Sequence, residues 1–545
     1  MARKRLNKKV AIIGSLIFAF VVFAAIGAFL YLSRDPEKFI NDGDAALLAG
    51  DYEEAALSYN KARVRAKSDS LKIELLFKIA DAYINIDRWN NVLGCWNRVV
   101  QIDPGNIKAR LSRLNYLYIM ADSVADLGGT GPWQEIVSQV SELMEVAEDA
   151  ELLNEDTARW EPFGLQQTGM SDSQLGTYLH LLRGRAILET AIAGAVTDPD
   201  KSLDRAIDDL EEVRKLQPGN VDTHQYLAEA LVEKGNIAAS RGDLDQKDEA
   251  AEQAKKILEQ AVEVASDNPK THINLFQMKL TLARDRRSRE QIEALEPECQ
   301  SLVDKFNTSA EAFSVLGRYH QLIGLKNIDK ALEAAERALE LDKESVDYAV
   351  QAAVVNYTKY SAHGQRSHIR RAVEILDNAL TLPDAQDKPG PKQWANRNNK
   401  IILYSLLAQY YIEQVLEPQR SGITTESQKE QLISKAKEAV HQIEQLIGSG
   451  EDPTVVKWQG MLDLAEGNKT TAIKKLYATY EQYKASGRRD RALAYWLAQI
   501  FRGTTELGAS NEFFLSALNP PAGIHDTKPE VLLDYAEVLL KLRDN

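Results

Sequence analysis

The segment AEAFSVLGRYHQLIGLKNIDKALEAAERALELDKES, residues 310–345, contains two apolar runs separated by a Gly-Leu-Lys-Asn turn. Within each run, small or apolar residues recur mostly three or four positions apart, so they share one face of an α-helix. The stripe of the first helix consists of Phe313, Leu316, Gly317 and His320, and that of the second consists of Ala331, Ala335, Ala338 and Leu341. Their small residues predict two helices that cross closely, with Ala335 buried, His320 packed and Glu336 facing solvent.

The same pattern recurs along the chain, which is typical of repeat architectures. One copy begins with GDYEEAALSYNKA at 50–62, and another contains DRWNNVLGCWNRVVQIDPGN at 87–106. Weaker copies end in 210–220, 258–270 and 372–384, and a further one is centred on 458–480. These residues resemble the tetratricopeptide repeat (TPR), a helix-turn-helix unit of about 34 residues. The resemblance implies an all-α, TPR-like α-solenoid, a superhelix of stacked repeats.

The length of 545 residues requires no second globular domain, because a solenoid grows by adding units. Apolar spacing and helix-breaking turns predict an N-terminal pair of repeats, a break in the pattern, and further helical pairs up to a C-terminal capping helix. The predicted divisions are a basic tail at 1–9, a transmembrane helix at 10–32, TPR repeats at 36–119, an insertion or divergent repeat at 120–174, and a helical-repeat solenoid at 175–545.

Residues 10–32 contain no charged side chain and are long enough to cross a bilayer as a helix. A cleaved signal peptide is the alternative, but its apolar core normally has only about 7–15 residues. Five basic residues precede this run, so the positive-inside rule places the N-terminus in the cytoplasm. We therefore expect a single-pass protein of the cytoplasmic (inner) membrane, with a periplasmic or other extracytoplasmic solenoid.

The formal net charge of −14 argues against a nucleic-acid partner, because such binding generally needs a basic surface. The two cysteines, Cys95 and Cys299, fall in different repeats and are expected to be too distant for a disulfide. No P-loop, HExxH or GxSxG pattern occurs, and the histidines lack a common zinc-binding spacing. The sequence therefore predicts no enzyme activity, no metal, no cofactor and no small-molecule substrate.

The TPR resemblance also implies where partners bind, because the first helix of each TPR unit lines a concave groove. Ligand contacts in that family commonly come from the second, fifth, ninth, twelfth and thirteenth positions. Carried onto the two best repeats, these positions are Glu74, Phe77, Asp81, Ile84 and Asn85, and Glu311, Ser314, Arg318, Gln321 and Leu322. Ile40 and Asp44 replace the Lys and Asn of the family's carboxylate clamp, which disfavours an acidic C-terminal peptide there.

The favoured function is a membrane-anchored scaffold that binds other proteins or peptides through this groove. The alternative is a subunit of an envelope export or assembly system, for polysaccharide or outer-membrane protein secretion. A third possibility, held lowest because no motif supports it, is an enzyme with its site in residues 120–174.

Overall fold

The computed structural model describes residues 20–22, 35–125, 131–168, 173–286, 288–486, 488–503, 506–518 and 529–544. Helices joined by short turns make up most of these ranges. Within them, the only strand-like pairing is an isolated antiparallel bridge between Asp156 and Gln174. The prediction of an all-α, TPR-like helical-repeat fold is confirmed.

The chain forms two compact units: Met1–Thr190 with Lys388–Lys392, and Ala191–Asp387 with Gln393–Asn545. The helices of unit 1 are α1 (Pro36–Leu48), α2 (Tyr52–Arg65), α3 (Asp69–Ile84), α4 (Trp89–Ile102), α5 (Ile107–Ser123), α6 (Gly131–Asp149) and α7 (Leu175–Ile192), the last of which ends just past the boundary. Those of unit 2 are α8 (Pro199–Leu216), α9 (Val221–Ser240), α10 (Leu244–Val264), α11 (Pro269–Asp285), α12 (Arg289–Ala294), α13 (Glu296–Lys305), α14 (Ala310–Ile323), α15 (Ile328–Leu341), α16 (Val346–His363), α17 (Arg366–Ala379), α18 (Gln393–Leu416), α19 (Pro418–Ser421), α20 (Glu426–Ile447), α21 (Pro453–Ala465), α22 (Lys469–Ala485), α23 (Arg491–Arg502), α24 (Leu507–Leu518) and α25 (Pro529–Asp544).

Consecutive helices pack as hairpins, each with a first and a second helix. In unit 2, each first helix also contacts the first helix of the next hairpin, from α9 to α11, α14, α16 and α18. These first helices therefore line one continuous face of unit 2. The second helices are α10, α12 with α13, α15, α17 and α20.

The turns that close the repeats also start the next first helix. Asn106, from the Asp-Pro-Gly-Asn turn, caps α5 by accepting a hydrogen bond of 3.1 Å from the Ala109 amide. Asn220 caps α9 in the same way, at 2.9 Å from the Thr223 amide. Such caps satisfy amides that have no partner inside the helix. The repeat-closing sequence thus fixes the register of the helix that follows.

Small residues let the two helices of a hairpin cross closely. An ideal Cβ atom on Gly43 of α1 would lie 2.6 Å from Cε1 of Tyr59 on α2, so no larger side chain fits without movement. Ala335 of α15 is completely buried and packs beside Gly317 of α14. The predicted close contact at Ala335 is confirmed.

Glu336 is less exposed to solvent than predicted. It is half-buried, and its Oε1 accepts a hydrogen bond of 3.0 Å from Nδ2 of Asn356 on α16. Nε of Arg371 on α17 lies 3.6 Å from the same carboxylate. The following hairpin covers this side of α15, a contact that the local spacing of residues could not indicate.

The predicted membrane localisation is corrected. Among the residues that the structure describes, no helix is both long enough and apolar enough to span a bilayer. The longest, α18 and α20, carry charged side chains within their length, as their sequences show. The predicted span at 10–32 falls outside the described residues, except for 20–22. The single-pass inner-membrane placement, with a cytoplasmic N-terminus and an extracytoplasmic solenoid, is therefore not supported.

The described part of the predicted 120–174 insertion packs within unit 1. The Phe163 amide donates to Oγ of Ser112 at 3.0 Å, and Nδ2 of Asn115 donates to the Phe163 carbonyl at 2.8 Å. The Phe163 ring also lies 5.3 Å from that of Trp89 and 5.5 Å from that of Trp96. This segment thus contributes to the core beside α4 and α5. The domain boundaries themselves stay predictions.

Candidate protein-binding groove

The predicted α3 surface, Glu74, Phe77, Asp81, Ile84 and Asn85, lies along α3 and its C-terminal cap. Glu74, Asp81 and Asn85 are exposed, whereas Phe77 and Ile84 are half-buried against the core of unit 1. Nδ2 of Asn85 donates to the Asp81 carbonyl at 2.8 Å, which ties the end of the helix together. The surface therefore has an apolar floor with carboxylates beside it.

Asp81 and Phe77 face a cation on the next first helix. Nζ of Lys108, at the start of α5, lies 4.8 Å from the centre of the Phe77 ring. Desolvation by the surrounding protein raises the pKa of the Asp81 carboxyl, although its side chain still reaches solvent, and the Lys108 charge opposes this rise.

Ile40 and Asp44, the two clamp positions that depart from the TPR pattern, contact other residues of unit 1. Asp44 accepts hydrogen bonds from the Tyr59 hydroxyl at 2.7 Å and from Nζ of Lys78 at 2.9 Å. The Lys78 and Tyr59 bonds, in that order, lower the pKa of the Asp44 carboxyl. Ile40 packs against the core of unit 1. An anion would meet the Asp44 carboxylate at this position, which agrees with the expectation that acidic peptides are disfavoured here.

The predicted α14 surface, Glu311, Ser314, Arg318, Gln321 and Leu322, is only partly accessible. Glu311 and Arg318 are exposed, and Gln321 and Leu322 are half-buried. Ser314, however, is 2% exposed and donates a hydrogen bond of 2.7 Å to Oε1 of Gln351 on α16. Ser314 therefore joins two hairpins instead of meeting a ligand.

The α9–α11 pocket lies between two adjacent first helices of unit 2. It is a cavity of about 310 Å³, within the size range of small ligand sites. Side chains of both helices line it, with Leu258 of α10 at its base and Ile192 at its edge. The residues from α9 and α11 are Gln225, Ala228, Glu229, Val232, Glu233, Asn274, Gln277, Met278 and Thr281.

The pocket has an apolar floor and a rim of amides and carboxylates. Ala228, Leu258 and Met278 are buried in the floor. On the rim, Nδ2 of Asn274 donates to Oε1 of Gln225 at 3.2 Å, and Nε2 of Gln225 donates to Glu229 at 2.9 Å. Amides can both donate and accept, which suits them to a peptide backbone. No lining residue described by the structure is Lys or Arg, so the rim is acidic.

The sequence did not identify this pocket, although a signal for it exists. The predicted α14 residues Ser314, Arg318 and Gln321 lie five, nine and twelve positions after the N-cap Ser309. Counting the same distances from the N-cap Asn220 gives Gln225, Glu229 and Val232, which all line the pocket. The sequence pattern of the weaker repeats does not show where each first helix begins. The N-cap Asn220 marks the start of α9, and the positions can then be counted from it.

A second cavity in unit 2, of about 680 Å³, opens between second helices, where α12 and α13 are short. His320 and Phe313 lie at its base, and both Lys330 and Arg337 stand at its rim. These cations already pair with protein carboxylates: Lys330 with Glu296 at 2.6 Å, and Arg337 with Glu340 at 3.0 Å. The α9–α11 pocket is therefore the better candidate for binding a partner.

Within the ranges described, no group of three or more His, Cys, Asp or Glu residues is arranged to hold a metal ion. Cys95 and Cys299 are both free and buried. Burial raises the pKa of the Cys95 thiol to about 11 and that of Cys299 to about 12.

No protein-family model and no curated protein matches this chain. Yeast Tom70 superposes with a TM-score of 0.33 at 13% identity, covering 93% of this chain and 96% of that one. The APC/C hetero-tetramer Cut9-Hcn1 gives 0.35 at 14% identity, covering 95% and 92%. A tetratricopeptide repeat protein from Parabacteroides merdae gives 0.36 at 12% identity, covering 57% and 98%. None of these scores reaches 0.5, so the fold described above rests on the helix packing of this chain.

Proposed function

We propose that this chain is a protein-binding scaffold that holds extended segments of partner proteins against its first helices. The observation that carries the proposal is the α9–α11 pocket, where an apolar floor, hydrogen-bonding amides and carboxylates meet on adjacent first helices. Peptide-binding grooves commonly combine the same kinds of groups, since apolar pockets supply affinity and polar groups set the orientation of the peptide. The proposed role is binding, not catalysis.

The carboxylates on the rim of the pocket indicate which charge a bound segment should carry. Glu229 and Glu233 lie beside the apolar lining residues Val232 and Met278, so a suitable segment carries an apolar side chain next to Lys or Arg. Opposite charges across a binding surface favour both association and correct register. The α3 surface and the exposed part of the α14 surface are proposed as further contacts for the same class of partner. Each lies on a first helix of its own unit.

The test is selection of peptides from a random display library on the full chain. We expect enriched peptides to combine an apolar residue with a neighbouring Lys or Arg. Thr281→Trp fills the pocket from its exposed rim and should abolish their binding without disturbing the core. Glu233→Lys should weaken binding at least tenfold, about 1.4 kcal/mol, by reversing a rim charge.

Glu263→Lys provides the control, because it makes the same charge change at an exposed site on the second helix α10. It should leave peptide binding unchanged. Enriched peptides that bind Thr281→Trp as well as they bind the native chain would refute the pocket as the binding site.

A further inference from the structure

The last helix of unit 2, α25, exposes four leucines. Leu532, Leu533, Leu539 and Leu540 are 51%, 70%, 44% and 59% exposed, and Ala536 between them is exposed as well. These five positions form a stripe on one side of the helix, because steps of three and four residues return to the same face. No other described helix exposes as many leucines.

The stripe cannot turn inward, because the opposite face of α25 is already anchored. Val538 is completely buried, and the Tyr535 ring lies 5.6 Å from that of Phe514 on α24. Asp534 forms an ion pair with Arg502 of α23 and accepts a hydrogen bond of 3.2 Å from the Tyr495 hydroxyl. The leucines therefore face outward as a consequence of specific packing.

The spacing of the stripe is symmetric. Relative to Ala536, the leucines lie four and three positions before it and three and four positions after it. If two such helices meet antiparallel about a two-fold axis at Ala536, Leu532 and Leu533 of one copy face Leu540 and Leu539 of the other. A two-fold interface requires this kind of self-complementary surface. Antiparallel pairing also brings the opposite ends of the two helix dipoles together.

We propose that α25 is a self-association site at which two copies of this chain pair through Leu532, Leu533, Ala536, Leu539 and Leu540. The small Ala536 at the axis allows close approach. The size of the stripe sets the strength of the contact. An exposed apolar patch on the order of a few hundred Å² marks an interaction site, but two such patches bury less than the roughly 1,200 Å² of a stable complex. The dimer should therefore dissociate on dilution.

Disulfide cross-linking of the full 545-residue chain tests the pairing. Helix axes about 8–10 Å apart and Cα radii of about 2.3 Å place the two facing Ala536 Cα atoms about 3.4–5.4 Å apart, which overlaps the range that a disulfide spans. Ala536→Cys should therefore form a covalent dimer under mild oxidation. Cys95 and Cys299 are buried and their thiol pKa values are raised, so they should contribute little.

Three variants make the test specific. Lys541→Cys, on the same helix but away from the stripe, should give several-fold less dimer than Ala536→Cys. Adding Leu533→Glu to Ala536→Cys should remove the dimer by placing a charge in each half of the interface. Adding Leu244→Glu instead, at a leucine that is 64% exposed on α10, should change nothing. Equal yields from the two cysteines, or a dimer that survives Leu533→Glu, would overturn the proposal.

Discussion

Ser314 on α14 and Gln351 on α16 are joined by two hydrogen bonds. The Ser314 hydroxyl donates to Oε1 of Gln351 at 2.7 Å, and Nε2 of Gln351 donates to the backbone oxygen of Ser314 at 2.9 Å. Both side chains are buried. The pair therefore links the first helices of consecutive hairpins through groups that depend on each other for their hydrogen bonds.

Ser314→Ala should destabilise residues 310–363. It removes the hydroxyl donor to Oε1 of Gln351, and a buried acceptor left without a partner costs about 1–3 kcal/mol. Hydrogen exchange of the full chain, followed by mass spectrometry, should show faster exchange in α14 and α16. Ser301→Ala, at an exposed site on α13, should change local stability by no more than about 0.5 kcal/mol. Similar effects of the two variants would show that the Ser314 bonds contribute little.

Gly317→Ala should also destabilise this region, because an ideal Cβ there would lie 2.8 Å from Nε2 of Gln351 and 3.4 Å from the Ala335 nitrogen. Such overpacking costs about 1–3 kcal/mol. Gly94→Ala, in α4, makes the same change where no atom lies within 4 Å of the new Cβ. It should stabilise the chain by up to about 1 kcal/mol through better helix propensity. Thermal unfolding that gives both variants the same sign would contradict this assignment of helix contacts.

Local periodicity identified Ala335 but not the contacts of Glu336, and the TPR resemblance did not indicate that Ser314 is buried. The buried stripe of a hairpin follows from residues three and four apart, so it can be found in the sequence. Ser314 and Glu336 are instead engaged by Gln351 and Asn356 of the next hairpin. Such pairings depend on how the hairpins stack, which the spacing within one repeat does not encode. The α9–α11 pocket was missed because its repeats are degenerate and their register was uncertain.

Ala335→Glu should loosen residues 310–345 and the adjoining hairpins, because it forces a charge into a fully buried contact. Since repeat proteins are stabilised by interfaces between neighbours, the loss of protection should decline with distance along unit 2. Glu333→Ala is the control, because Glu333 is exposed on the same helix. Hydrogen exchange distinguishes the two. Unchanged protection in Ala335→Glu would mean that the repeat register is wrong.

Acid should weaken the hairpin that contains His320. Burial chiefly lowers the pKa of this imidazole below its ordinary 6.5, Lys330 acts in the same direction and Glu296 opposes it. Its Nδ1 lies 3.2 Å from Nδ2 of Asn327, which favours the neutral ring. The unfolded state therefore binds more protons below about pH 6.5, and stability should fall there until the pH passes below the folded-state pKa.

Chemical unfolding at several pH values measures this dependence. His320→Gln should make it shallower, leaving a contribution from His368, whose pKa burial also lowers. An unchanged slope in His320→Gln would assign the pH dependence to other groups.

If the first helices α9 and α11 bind a partner segment between them, their backbone amides should become protected when the segment binds. Hydrogen exchange of the full chain with and without a selected peptide measures this, because it reports where amides become protected. We predict added protection in residues 221–240 and 269–285, with none in the same regions of Thr281→Trp. Protection confined to second helices such as α10, or persisting in Thr281→Trp, would contradict the account.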